Sequence, residues 1–186
     1  KLAQNAYDIS VATFGEKSIK VTPAAMQLAK IYTALGDYPK SKLLLEEVID
    51  IRTKQFGKQH VDVARALSDL ALVKYYSNDD VYEIEELFRT AEKIIVTSLG
   101  GSNPYYAEIL KNLAIVFIAE KKYSKAQTML NASGRIWNTR IGMRNNVNAA
   151  TIYVLEGDIL YAQKKYNEAD KLYEKAKKVY EDFFSN

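Results

Sequence analysis

An apolar residue followed by glycine recurs along the chain at Phe14-Gly15, Phe56-Gly57, Leu99-Gly100 and Ile141-Gly142, in steps of 42, 43 and 42 residues. A period of this length is the size of one supersecondary unit, so the chain reads as an array in which each unit buries its apolar face against the next. The register extends beyond the glycines. Leu-Ala recurs at Leu28-Ala29, Leu70-Ala71 and Leu113-Ala114, with Glu156-Gly157 in the fourth place. A Tyr opens the second half of three units, at Tyr38, Tyr123 and Tyr166, and small or apolar residues follow at Ser41, Ile84, Ala126 and Ala169.

Within each unit the apolar residues fall on one helical face. Leu44, Leu45, Val48 and Ile51 are spaced i, i+1, i+4, i+7, and Leu87, Phe88, Ala91 and Ile94 repeat the spacing, as do Leu172, Tyr173, Ala176 and Val179. The spacing predicts first helices over about 20–35, 60–76, 103–120 and 146–163. It predicts second helices over about 38–55, 80–97, 123–140 and 166–183. Residues 2–13 match the end of a further second helix, giving nine helices. Each Gly of the apolar-Gly pairs is expected to close a helix in the left-handed conformation. Only 3 Pro and 8 Gly interrupt the chain, which favours helices over a turn-dense β protein. The expected organisation is one array: 1–15 the second helix of a truncated repeat, then repeats at 16–57, 58–100, 101–142 and 143–186. Three irregularities stand out: an extra residue near Ser77-Asn78-Asp79-Asp80, Gly157 in place of Ala, and Ser133-Gly134 inside a helix, where Gly costs about 1 kcal/mol against Ala.

The pattern resembles the tetratricopeptide repeat. Leu28-Ala29-x-x-Tyr32-x-x-x-Gly36-Asp37-Tyr38-x-x-Ser41 and Asn112-Leu113-Ala114-x-x-Phe117, followed by Lys122-Tyr123-x-x-Ala126, carry the likeness. The 42-residue period, and the linkers Gln59-His60-Val61-Asp62-Val63-Ala64 and Ser102-Asn103-Pro104-Tyr105-Tyr106-Ala107, look like the kinesin-light-chain variety. The resemblance implies an all-α, right-handed superhelical solenoid of antiparallel helix hairpins whose first helices line a concave groove. It implies a scaffold that binds a peptide or protein segment there. The alternative it implies is a regulatory or sensory arm that contacts the protein's own attached domain.

Residues on one stripe of a first helix recur at i, i+4, i+7. Relative to the Leu-Ala pairs the stripe holds Met26, Lys30 and Thr33, then Ser68, Leu72 and Tyr75, then Lys111, Ile115 and Ile118, and last Val154, Asp158 and Tyr161. Tyr76 and Asn112 flank it. Tyr75, Leu72, Ile115, Ile118 and Tyr161 are expected to supply apolar contact, and Lys30, Lys111 and Asn112 to hold backbone or acidic groups, since tyrosines are frequent binding anchors. Arg65, Lys111 and Asn112 partly match a set with which one chaperone-binding subgroup of the family clamps a C-terminal carboxylate; Asp69 and Glu108 oppose it.

Composition narrows the chemistry. The chain has no Cys and one His, so thiolate chemistry and a His cage within one chain are excluded, and no nucleophile–base–orienter set is visible. No enzymatic activity, metal or cofactor is expected. With 26 basic and 23 acidic residues the charge of +3 gives no strong field for nucleic acid. The longest apolar run, Leu113 to Ala119, is far short of the roughly 20 residues of a membrane span. The absence of Cys fits a reducing compartment such as the cytoplasm. Open array ends are expected to allow weak self-association. His60 reads as an exposed linker residue, Asn131-Ala132-Ser133 as a chance glycosylation pattern within a helix, and Trp137 as core.

Overall fold

The computed structural model describes residues 1–140 and 146–185. Ile141-Gly142, the last of the apolar-Gly pairs, lies outside the described residues. Nine α-helices are found among the described residues, in two compact units, Lys1–Gly100 and Gly101–Asn186.

The first unit comprises α1 (Leu2–Phe14), α2 (Thr22–Ala34), α3 (Tyr38–Phe56), α4 (Val61–Tyr76) and α5 (Val81–Leu99). A single 3-10 turn, Ile19–Val21, leads into α2. The second unit comprises α6 (Pro104–Ala119), α7 (Tyr123–Arg140), α8 (Val147–Ala162) and α9 (Tyr166–Phe184). In each unit successive helices pack as antiparallel hairpins, α2 with α3, α4 with α5, α6 with α7 and α8 with α9, and the hairpins of one unit pack on each other through α3 and α4 or α7 and α8.

Local chemistry places the helix starts. All three prolines, Pro23, Pro39 and Pro104, sit in first turns, where a missing N–H is harmless. Asp80 caps α5, its carboxylate accepting from the Tyr82 N–H at 2.7 Å. Asn103 and Asn146 cap α6 and α8 through the N–H groups of Tyr105 and Asn148 at 2.9 and 3.0 Å. His60 caps α4: its Nδ1 accepts from the Asp62 N–H at 3.2 Å and its ring stacks on Phe56 at 4.4 Å. It is therefore half-buried and structural, not the exposed linker residue expected.

The glycines after the helices correct a second expectation. Gly15, Gly57 and Gly100 have φ of 83°, 85° and 80° but ψ of 145–163°. That is an extended, positive-φ conformation open to Gly and to almost nothing else. The left-handed closure occurs instead inside each hairpin, at Gly36, Asn78, Lys121 and Lys164, with φ between 57° and 78°. There the next residue's N–H reaches back five positions, Asp37 to Tyr32, Asp79 to Lys74, Lys122 to Phe117 and Lys165 to Leu160, at 2.8–3.0 Å, the Schellman closure.

Each unit has its own core. In the first, Ala25, Met26, Ala29, Leu45, Val48, Ala66, Leu70 and Val73 cluster. In the second, Ala107, Leu110, Ala114, Ala126, Leu130, Ile136, Trp137, Ile152 and Ile159 do so. Trp137, 5% exposed, is core as expected. Alanines 29, 71 and 114 are fully buried and let paired helices approach closely. In the fourth hairpin Gly157 takes this position. A Cβ there would fall 2.5 Å from the ring of Tyr173, so the missing methyl is the space that Tyr173 fills. The Tyr173 hydroxyl then donates to Asp158 at 2.9 Å, and its pKa is pushed up to about 12, by burial first and then by the bond to Asp158. Gly134 differs: a methyl there would meet only the tip of Ile152, at 3.9 Å, and α7 runs through it unbroken.

Candidate functional site

In the first unit the predicted stripe divides. Met26 and Ser68 are 6% and 4% exposed, covered because α4 packs beside α2. Ser68 is thereby removed from the candidate surface, and Met26 reaches it only as the floor of a cleft. Lys30 is exposed and stands 3.7 Å from Asp69. Thr33 is turned inward, donating to the Ala29 carbonyl at 2.9 Å beside the buried Ser41 hydroxyl. Leu72 and Tyr75 are half-buried at the surface. Tyr76 stacks on Tyr38 at 5.9 Å and meets Tyr75 at 5.6 Å, so three tyrosines form one partly open aromatic platform.

In the second unit Asn112, 6% exposed, is likewise withdrawn from the surface. Lys111, Ile115 and Val154 are half-buried. Ile118 packs against the core cluster. Asp158 is engaged by Tyr173. Tyr161 is 60% exposed, with its ring edge-on to Tyr166 at 5.2 Å. Thr33 and Asp158 are held by the second helix of their own hairpins, through Ser41 and Tyr173, and Met26 and Ser68 share a different cause. A stripe defined by spacing spans about 60° of helix surface, and the neighbouring first helix covers one edge of it.

Two features of the first unit were not read from the sequence. One is a polar hub at the α4–α5 turn, centred on Asp79, the residue just before the inserted Asp80. Asp79 accepts from Lys42 at 3.0 and 3.1 Å and from Ser77 at 2.8 Å, and lies 3.7 Å from Lys74, which pairs with Glu83 at 2.9 Å. The bond from Lys42, then that from Ser77, holds the Asp79 carboxyl below the usual range, and the bond to Glu83 holds the Lys74 ammonium above its own. The other is a cleft of about 290 Å³ lined by residues that include Met26, Lys30, Arg52, Phe56, Asp62 and Arg65. Arg52, 6% exposed, donates from Nε to the Thr22 hydroxyl at 3.2 Å and from Nη1 to the Asp62 carbonyl at 2.8 Å. Burial pushes the guanidinium below its usual pKa. Comparing repeats position by position would have found it, since Arg52 stands among Ile95, Trp137 and Tyr180.

The fold and the surface define a helical-hairpin repeat scaffold that presents first-helix side chains on open faces. Models of the tetratricopeptide repeat match residues 21–81 and 150–183, and the chain belongs to that family. No curated protein sequence matches it. Among solved structures it is similar to BtubC (BKLC) from P. vanneervenii at 16% identity, with a TM-score of 0.67 over 96% of this chain and 70% of that one. It is also similar to the putative kinesin light chain with nearly identical TPR-like repeats from Podosopora anserina, at 20% identity and a TM-score of 0.57, over 97% and 84% of the two chains. A variant of the latter gives 20% identity and 0.60, over 100% and 86%. The fold is thus the all-α tetratricopeptide one, and the likeness to the kinesin-light-chain-like structures is one of fold. Such repeats form protein–protein interaction scaffolds, typically without catalytic activity. No helix among the described residues is long and apolar enough to cross a membrane.

Proposed function

We propose that the first-helix faces hold a peptide or protein segment. In the first unit Leu72, Tyr75 and Tyr76 form the contact, with Lys30 beside them. In the second unit Lys111, Ile115, Val154 and Tyr161 do so. The observation that carries the reading is an exposed tyrosine near the end of a first helix in each unit, Tyr76 stacked on the partly buried Tyr38 and Tyr161 edge-on to the exposed Tyr166. Such rings bring large contact area with few rotamers to freeze, which is why they dominate binding hot spots.

The test is capture from a lysate of the source cell by the wild type and by the Tyr75→Ala, Lys111→Ala, Tyr161→Ala variant. The expected outcome is a protein held by the wild type and lost by the folded variant. Equal retention by both would exclude these faces. Repeating the capture with a chain extended at both ends distinguishes a separate partner from the regulatory-arm alternative, in which attached sequence occupies the same faces and abolishes capture.

A further inference from the structure

The repeats allow the protein to be compared with itself. By the repeat period, position 22 corresponds to Ala64, Ala107 and Ala150, and position 52 to Ile95, Trp137 and Tyr180. The three alanines, Ile95 and Trp137 are all buried. The register thus sets a buried methyl against a buried Ile or Trp in the second and third hairpins, and against the half-buried Tyr180, whose hydroxyl meets Thr151 at 3.3 Å, in the fourth. The first hairpin alone uses a hydroxyl against a guanidinium, and the two are bonded to each other.

Both changes are polar, both are buried, and they occur together. Yet the pair does not neutralise the charge. Among the described residues no carboxylate lies within ion-pairing distance of Arg52, whereas Arg65 has Asp62 at 3.3 Å and Lys30 has Asp69 at 3.7 Å. Arg52 places two of its five N–H donors on protein oxygens. The guanidinium borders the cleft, whose lining holds three cations and the carboxylate of Asp62, with Asp69 beside Lys30 as the second carboxylate nearby, and Met26 and Phe56 add apolar wall. A buried cation of this kind is destabilising by itself and gains most from an anion that supplies paired oxygens.

We infer that this cleft is a subsite for an oxyanion carried on a peptide, an Asp or Glu carboxylate or a phosphoryl group. Arg52 receives its oxygens, and Lys30 and Arg65 stand at the more exposed rim. An apolar neighbour of the acidic residue lies against Met26 and Phe56. The subsite rests on the reading that the first unit binds a peptide. It uses a second-helix residue, Arg52, and is independent of Lys111 and Asn112 in the other unit.

The experiment is a titration of the ¹⁵N-labelled protein at constant ionic strength with N-acetyl-glutamate amide, N-acetyl-phosphoserine amide and, as neutral control, N-acetyl-glutamine amide. The Arg52 Nε–H signal, assigned by its loss in Arg52→Lys, and the backbone amides of Thr22 and Asp62 are followed. A saturable shift with an anionic probe and none with the neutral one is expected, the tighter probe identifying the acidic or the phosphorylated side chain. Arg52→Lys keeps the charge but loses the fork, and is expected to bind about tenfold more weakly. The absence of a saturable shift in the wild type, or unchanged affinity in folded Arg52→Lys, overturns the subsite. If a partner is captured through Tyr75 while Arg52 ignores both anions, the subsite alone fails. If the anions bind but no capture depends on Tyr75, the proposed function alone fails.

Discussion

The two units solve the same packing problem at the same register positions with different side chains. In the first unit, the α2–α3 hairpin joins its helices through Thr22 and Arg52. In the second, the equivalent places hold Ala107 with Trp137 and Ala150 with Tyr180. The contrast recurs about two turns away. The first unit sets Ala29 against Leu45, and the second, in its last hairpin, sets Gly157 against Tyr173. In both places the backbone geometry is kept and the residues change in pairs: volume lost on one helix is regained on its partner, and a polar group on one is met by a polar group on the other. A repeat array therefore tolerates wide sequence change provided that it is compensated across the hairpin. It also follows that an exchange with no packing advantage, such as Arg52, points to use.

The largest expected effect breaks the polar pair. Arg52→Ala leaves a cavity and removes the donors that serve Thr22 and the Asp62 carbonyl, and should lower unfolding free energy by about 2–4 kcal/mol in urea titrations. Thr22→Ala with Arg52→Ile installs the Ala64–Ile95 solution of the neighbouring hairpin. It should be at least as stable as wild type, since replacing a buried charge with apolar bulk is often stabilising by about 1–4 kcal/mol.

Next in size is Gly157→Ala. Helix propensity alone would favour it, but the methyl meets the Tyr173 ring, and overpacking should destabilise by about 1–3 kcal/mol. Adding Tyr173→Leu, the pairing of the first unit, should recover most of the loss; thermal melts of both variants check this. Gly134→Ala, in the same unit but with only an ordinary contact to the tip of Ile152 at 3.9 Å, should instead raise stability by up to about 1 kcal/mol, so two helical glycines differ in sign.

The smallest effect is electrostatic. The turn between α4 and α5 carries Asp79, where those of the second unit carry Lys121-Lys122 and Lys164-Lys165. Asp79→Asn should cost no more than about 1 kcal/mol at neutral pH, because the network is partly solvated. The folded-state pKa of Asp79 is depressed, so its contribution is complete above the unfolded value near 4 and is lost as pH falls through the folded value. The difference between wild type and Asp79→Asn should accordingly disappear at strongly acidic pH.

The helices were legible from the sequence because two signals agreed: the i, i+4, i+7 stripes and the repeated glycines. The observed α3 and α7, Tyr38–Phe56 and Tyr123–Arg140, lie within a residue of the expected spans. The candidate surface was legible only in part. Spacing shows which residues share a helix face, but it does not show which edge a neighbouring helix covers, and so it placed Met26, Ser68 and Asn112 too far outward. The ψ of Gly15, Gly57 and Gly100 was misassigned because composition reveals that φ is positive, and the direction of the following linker sets ψ. His60 was missed as a cap because imidazole is a less familiar acceptor there than Asp or Asn. Arg52 was hidden because it falls in a run with the lysine and threonine that follow it, and only alignment with the other repeats separates it.

The central claim is that partners dock on first-helix faces, and site-specific photo-crosslinking tests it most directly. A photoreactive residue at Leu72 or Ile115 should yield a covalent adduct with the captured protein, while the same residue at Glu86 or Glu174, exposed on second helices, should yield none. Adducts formed from Glu86 and Glu174 but absent from Leu72 and Ile115 would place the partner on the opposite surface and contradict the account.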